Sequence, residues 1–155
     1  MKEEELNSQN LSRLSTFEIS QTIFGIEISQ LTEVVHLLPF TPLPNSNEIY
    51  QGVFNLRGEI YPLVDISPIL NLDLKTISED DMVVLVNYHD IVMGILADKV
   101  HGIVSYDQKK VKNPTGIVSR LLSQFVQGIL DDNNNVVHIL DLERLFRAPR
   151  ILAYF

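Results

Sequence analysis

Residues 82–86 and 91–97, MVVLV and IVMGILA, are two nearly unbroken apolar runs separated only by Asn87-Tyr88-His89-Asp90. A half-solvated strand alternates along its length, whereas a strand apolar at every position is covered on both faces. The pair therefore predicts a hairpin between two packed layers and commits the chain to a layered β architecture. At 155 residues the chain can supply those layers within one domain.

The remaining segments supply strands for the layers. Residues 16–19 and 23–28 alternate around a Ser20-Gln21-Thr22 turn, with Phe17 and Ile19 on one face and Phe24, Ile26 and Ile28 on another. Residues 31–38 are apolar-rich and stop at Pro39, and Pro42 and Pro44 make 39–47 an extended connection with no ladder of its own. A hairpin over 52–66 turns at Asn55-Leu56-Arg57-Gly58, with Gly58 at the positive-φ position of a three-residue loop. Pro62 lacks an amide donor and predicts an edge or bulge there, and Ser67-Pro68 starts one short turn through Leu70. A last hairpin, 125–130 with 136–140, turns through residues 131–135, after which Asp141 caps a short helix carrying Leu142, Leu145 and Phe146. Residues 1–12 read as a flexible polar tail, 13–147 as the domain, and 148–155 as a tail with exposed-looking Ile151, Leu152, Tyr154 and Phe155.

The strand pattern repeats. Gln51-Gly52-Val53 returns as Gln127-Gly128-Ile129, and residues 63–70 are echoed by 139–146, both at an offset of 76. Gly25-Ile26 returns as Gly94-Ile95, and Val34-Val35 as Ile103-Val104, at an offset of 69. The chain is thus expected to be all-β, with two related subdomains of about five strands that share one interior, because a unit of about 70 residues is small for a core of its own. A groove where the halves meet is the expected place for a partner.

Chemistry is mostly excluded. No cysteine rules out disulfides, thiolate metal sites and thiol nucleophiles. His36, His89, His101 and His138 lack ligand spacing, and the acidic run 131–135 has Val136 and Leu142 where a calcium loop needs glycine and glutamate. Glu79-Asp80-Asp81 reads as a solvated loop, and Lys109, Lys110 and Lys112 form a basic patch without aromatic interleaving. No phosphate cradle or nucleophile elbow occurs, so neither a catalytic site nor a cofactor is expected. A formal charge of −8 argues against nucleic acid and anionic membrane as partners, and the acidic amino terminus resembles neither signal nor transit peptide, giving a cytoplasmic expectation.

Residues 52–66, GVFNLRGEIYPLVDI, resemble the G-V-x-N-L-R-G-x-[IV]-x-P-[IV]-[IV]-D-[LI] segment of CheW-like domains, the adaptor family of bacterial chemotaxis. Phe24-Gly25-Ile26-Glu27-Ile28, Leu31-Thr32-Glu33-Val34 and Gly94-Ile95-Leu96-Ala97-Asp98-Lys99-Val100 are similar to further family segments. The resemblance spans roughly Phe17 to Phe146 and implies two five-stranded β-barrel-like subdomains with a common core, short helical turns and no enzymatic activity. It implies two partners, the regulatory domain of a CheA-type histidine kinase and the cytoplasmic signalling tip of chemoreceptors, and a monomer when alone.

By motif match the implied partner-binding positions are Leu31, Glu33, Gly52, Arg57, Val83, Val84, Val100 and Ile103, with Gly58, Gly94 and Gly128 structural. Read from the residues alone, the five aliphatics suit a core equally, Gly52 and Gly94 suit bulges or close backbone approach, Glu33 suits solvent, and Arg57 suits an ion pair with Glu33 or Glu59. Two other readings stay open: a β domain that senses a small molecule in the expected groove, and the same adaptor serving pilus or gliding motility.

Overall fold

The structure, a computed structural model, describes residues 11–44, 48–73 and 75–153. Eleven strands run through them: β1 (Ser12–Ile19), β2 (Thr22–Glu27), β3 (Leu31–His36), β4 (Phe40–Thr41), β5 (Tyr50–Leu56), β6 (Glu59–Val64), β7 (Met82–Tyr88), β8 (Ile91–Ala97), β9 (Lys99–Tyr106), β10 (Val126–Asp132) and β11 (Asn135–Leu140). Three short helices follow late in the chain, α1 (Arg120–Ser123), α2 (Leu142–Arg147) and α3 (Pro149–Leu152), and single 3-10 turns lie at Ile28–Gln30 and Gln108–Lys110.

The strands form a first sheet ordered β10-β11-β2-β1-β9 and a second ordered β3-β7-β8-β6-β5-β4. The repeat is visible in these orders, because β5-β6-β8-β7-β3 is the counterpart of β10-β11-β2-β1-β9. Each sheet therefore takes its hairpin β1–β2 or β7–β8 from one repeat and its other strands from the other. Each exchanged hairpin meets its sheet through a short parallel join on one side, β11 on β2 and β6 on β8, and a longer antiparallel join on the other, β9 on β1 and β3 on β7. Gly52 and Gly128 sit at matching bulges, and the bridge from Lys112 to Ile129 stands where β4 meets Val53.

Among the described residues four tight hairpins turn in two residues, Ser20-Gln21, Arg57-Gly58, His89-Asp90 and Asn133-Asn134, each with positive φ at both positions. This is the type I′ geometry, whose twist matches that of the flanking strands. The loop at Arg57 is therefore one residue shorter than expected, and Leu56 pairs directly with Glu59. The Asn-rich turn is likewise shorter, since β10 and β11 extend to Asp132 and Asn135.

The core lies between the sheets. Phe17, Ile19, Phe24 and Ile26 of the first sheet meet Val84, Val86, Met93 and Ile95 of the second, all fully buried. Val83, Leu85 and Leu96, on the opposite face of the same hairpin, fill a separate cluster with Phe54 and Leu63, which is why β7 and β8 are apolar throughout. A third cluster, with Leu14, Tyr106 and Val137, sits behind the first sheet.

Several expectations change. Neither sheet closes, so the β-barrel-like subdomains are open, curled sheets, and the second has six strands because Phe40 and Thr41 pair with Phe54 and Val53. The Pro-rich connection thus carries a ladder after all, with 45–47 outside the described residues. Strand β6 is interior, yet it meets β8 only from Leu63 onward, leaving Pro62 beside β5 alone. Asp65 organises the following turn by accepting from the amide and hydroxyl of Ser67. Asp81 is buried, unlike its exposed neighbours Glu79 and Asp80, because its carboxylate holds the Lys75 ammonium at 2.7 Å. Of the polar tail, 1–10 lie outside the described residues, while Ser12 already belongs to β1. At the other end Ala148 and Ile151 pack into the core, and Tyr50 donates to the Ile151 carbonyl at 2.9 Å. Leu152 is exposed, and Tyr154 and Phe155 lie outside the described residues. Asp141 caps α2 as the sequence indicates, accepting from the Arg144 amide.

Candidate functional site

The β5–β6 turn carries the most exposed charged pair on a motif segment. Asn55 Oδ1 accepts from the Gly58 amide at 3.0 Å and fixes the turn, which holds Arg57 at φ 51°. A bulky side chain rarely adopts that region, so asparagine or glycine would suit the backbone better. Arginine gains something else there. Its two terminal nitrogens donate to both carboxylate oxygens of Glu33, each at 2.6 Å. Glu33 lies on β3, at the far edge of the same sheet, so the curl of the sheet brings the β5–β6 tip beside β3 and this ion pair bridges the seam.

The Arg57 side chain is 72% exposed and Glu33 28%. The hydrogen bonds from Arg57 hold the Glu33 carboxyl below its ordinary range, and the same bonds raise Arg57. Thr32, Glu33, Leu56, Arg57, Glu59 and Tyr61 line a shallow cleft of about 260 Å³ here. The Tyr61 hydroxyl donates to Glu59 at 2.8 Å, leaving Glu59 outside the arginine pair. The surface can recognise another protein by charge and apolar contact. Among the described residues no group of three or more His, Asp and Glu could hold a metal ion.

The other motif positions divide by burial. Leu31 is half-buried at the start of β3, packed against the central core. Val83 and Val84 are 1% and 0% exposed and belong to two different clusters, so neither presents a surface. Gly52 is also buried: a Cβ there would lie 2.3 Å from the Thr41 carbonyl oxygen. Gly94 and Gly128 are close-approach positions as well, facing Val83 and Phe54 in one case and Val111 in the other, whereas Gly58 serves the turn through its φ of 88°. Val100 is half-buried and Ile103 is 62% exposed, both on β9, the outer strand of the other sheet. The structure thus joins Glu33 with Arg57 on one sheet edge and places Val100 and Ile103 on the edge of the second repeat. The reciprocal positions, Asn133 and Gly102 by the offsets of 76 and 69, carry no charge, so the pair breaks the internal symmetry.

No helix among the described residues is long and apolar enough to cross a membrane. Residues 13–150 match the CheW-like domain family. The chain is 24% identical over 143 residues to the chemotaxis protein CheW of Treponema pallidum, covering 90% of this chain and 84% of that one. It is 27% identical to a probable chemotaxis protein CheW of Rhizobium etli, over 90% of each chain. It is also 24% identical to protein PilI of Pseudomonas aeruginosa, over 73% of this chain and 64% of that one. The crystal structure of the scaffolding protein TtCheW from Thermoanaerobacter tengcongensis superposes with a TM-score of 0.79 at 25% identity, covering 90% of each chain. The CheW relatives are scaffold proteins and not enzymes. With the exchanged two-sheet fold and the GVFNLRGEIYPLVDI hairpin in place, the chain belongs to the CheW-like domain family.

Proposed function

We propose that this chain is a non-enzymatic adaptor that couples chemoreceptor signalling tips to a CheA-type histidine kinase in the cytoplasm, as a monomer that assembles only with its partners. The observation that carries the reading is the exposed Arg57–Glu33 pair on a family motif. Two parallel charge-assisted bonds orient the guanidinium, and its exposure lets it exchange Glu33 for a partner carboxylate. Leu31, Glu33, Arg57, Val100 and Ile103 are the partner-facing positions in this reading. Gly52, Val83 and Val84 act from below, keeping β4 close and the sheet beneath the edge filled. A receptor helix laid along such a surface would be read by a few apolar anchors and one charge.

The test is ternary recovery of the protein with a receptor signalling-tip hairpin and a kinase regulatory domain. Arg57→Glu is expected to reduce recovery with the fold intact, and unchanged recovery would remove Arg57 from the interface. The likeness to PilI favours a second reading, the same adaptor role in a pilus-linked pathway. Recovery with a receptor from such a pathway, and none with a chemotaxis receptor, would select it.

A further inference from the structure

The chain passes between its sheets twice, and the two crossovers are built differently. From β2 to β3 the link is the 3-10 turn Ile28–Gln30, which buries no side chain. From β8 to β9 the link is one residue, Asp98. Its amide donates to the Glu18 carbonyl at 2.9 Å, and its Oδ2 accepts from the Ser20 amide at 2.8 Å, which ties it to the first sheet. Its Oδ1 lies 2.6 Å from Lys75 Nζ. The same ammonium is 2.7 Å from Asp81, whose Oδ2 accepts from the Ser78 amide and whose carbonyl accepts from the Leu37 amide at the end of β3. Asp81 therefore belongs to the second sheet, and Lys75 joins the two.

The Lys75 and Asp81 side chains are 2% and 4% exposed, and that of Asp98 is 32%. A buried ion group this well hydrogen-bonded holds its geometry tightly, because any displacement leaves a charge unpaired away from water. The remaining negative charge is met by two backbone amides. Ser29, the counterpart of Asp98 by the offset of 69, is uncharged, so only one crossover is clasped.

We propose that Lys75 is a positioning residue: by bridging Asp81 and Asp98 it fixes the angle between the two sheets, and with it the spacing of the partner surfaces on β3 and β9. The first half stands on the geometry alone; the consequence for partners rests on the adaptor reading. A lysine that merely fastened the 65–81 connection would leave the sheets where they are.

The native chain has no cysteine, so spin labels go where cysteines are placed. Labels at the exposed positions Ile60 on β6 and Val136 on β11 report across the sheets, and labels at Ile60 and Ile91 on β8 report within one. Pulsed dipolar distances are expected to be narrow for both pairs in the otherwise native protein. In Lys75→Met the cross-sheet distribution broadens or shifts while the within-sheet one holds. Should that variant fail to fold, the neutral triple Lys75→Met/Asp81→Asn/Asp98→Asn, which leaves no charge unpaired, decides the matter in the same way. An unchanged cross-sheet distribution in either folded variant overturns the proposal. For the consequence, binary affinities for the receptor hairpin and the kinase domain should hold while ternary recovery falls; intact ternary recovery alongside a broadened distance overturns that half. If the native protein binds neither partner, the adaptor reading fails, and the distances still decide the role of Lys75.

Discussion

At the residue scale, Arg57 and Glu33 form a short bidentate pair in water, and such pairs contribute little to folding because solvent screens them. Substitution of Arg57 by alanine should therefore leave the thermal midpoint unchanged in calorimetry. It should raise the Glu33 carboxyl titration, followed by carbon-detected NMR, back to the ordinary glutamate range; no movement would mean the pair does not form in solution. Two other residues contribute to the alkaline limb of stability. Burial, reinforced by the hydrogen bond to Glu27, pushes the Tyr106 phenol up to about 12. Burial pulls Lys75 down, but its bonds to Asp81 and Asp98 outweigh that and raise it. For both groups the folded chain holds the proton more tightly than the unfolded one, so their contribution is complete below the unfolded value and declines as pH rises through the folded one. For Tyr106 that window runs from 10 to about 12. Tyr106→Phe should flatten the loss of stability there, measured by denaturant midpoints. Lys75→Met strands a buried carboxylate and should cost about 3–5 kcal/mol at neutral pH.

At the scale of elements, the strands were readable because their apolar periods are strong, and the turns were located but their two-residue form was not. Gly58 signals a turn, but Ser20-Gln21 and His89-Asp90 adopt the same conformation without glycine, since strand twist dictates it over local preference. Gln21→Gly should therefore stabilise by about 0.5–1 kcal/mol in chemical denaturation, as a long side chain leaves a left-handed position. The Gly52 and Gly128 bulges look alike in sequence and differ in what lies above them. At Gly52 an added methyl meets the backbone oxygen of Thr41, and at Gly128 it meets the terminal methyl of Val111. Backbone cannot turn aside as a rotamer can, so Gly52→Ala should cost about 1–3 kcal/mol and exceed Gly128→Ala in the same assay. Strand β4 escaped the sequence reading because two paired residues between prolines leave no period to detect.

On the scale of the whole molecule, the offsets of 76 and 69 showed the repeat but not its exchange. Nothing in a strand's own residues says which partner it joins, and the exchange is held by the parallel seams β11–β2 and β6–β8 together with the antiparallel seams β1–β9 and β3–β7. Separate fragments carrying the two repeats should each be unfolded by circular dichroism, because each lacks a hairpin its sheet needs, and should regain β structure when mixed. Of the candidate site, the charged pair was legible as one of two alternatives for Arg57, while the burial of Val83, Val84 and Gly52 follows from packing that a motif does not carry. The Lys75 bridge was invisible, since its three residues are spread over 24 positions and two of them look like surface charges.

The most direct test of the adaptor reading is a backbone NMR titration of the labelled protein with a receptor signalling-tip hairpin and, separately, with a kinase regulatory domain. The account predicts that the receptor hairpin shifts resonances around Leu31, Glu33 and Arg57, together with Val100 and Ile103, and that the kinase domain shifts a different face. Silence from both partners at high concentration, or shifts confined to residues remote from the Arg57 turn, would contradict it.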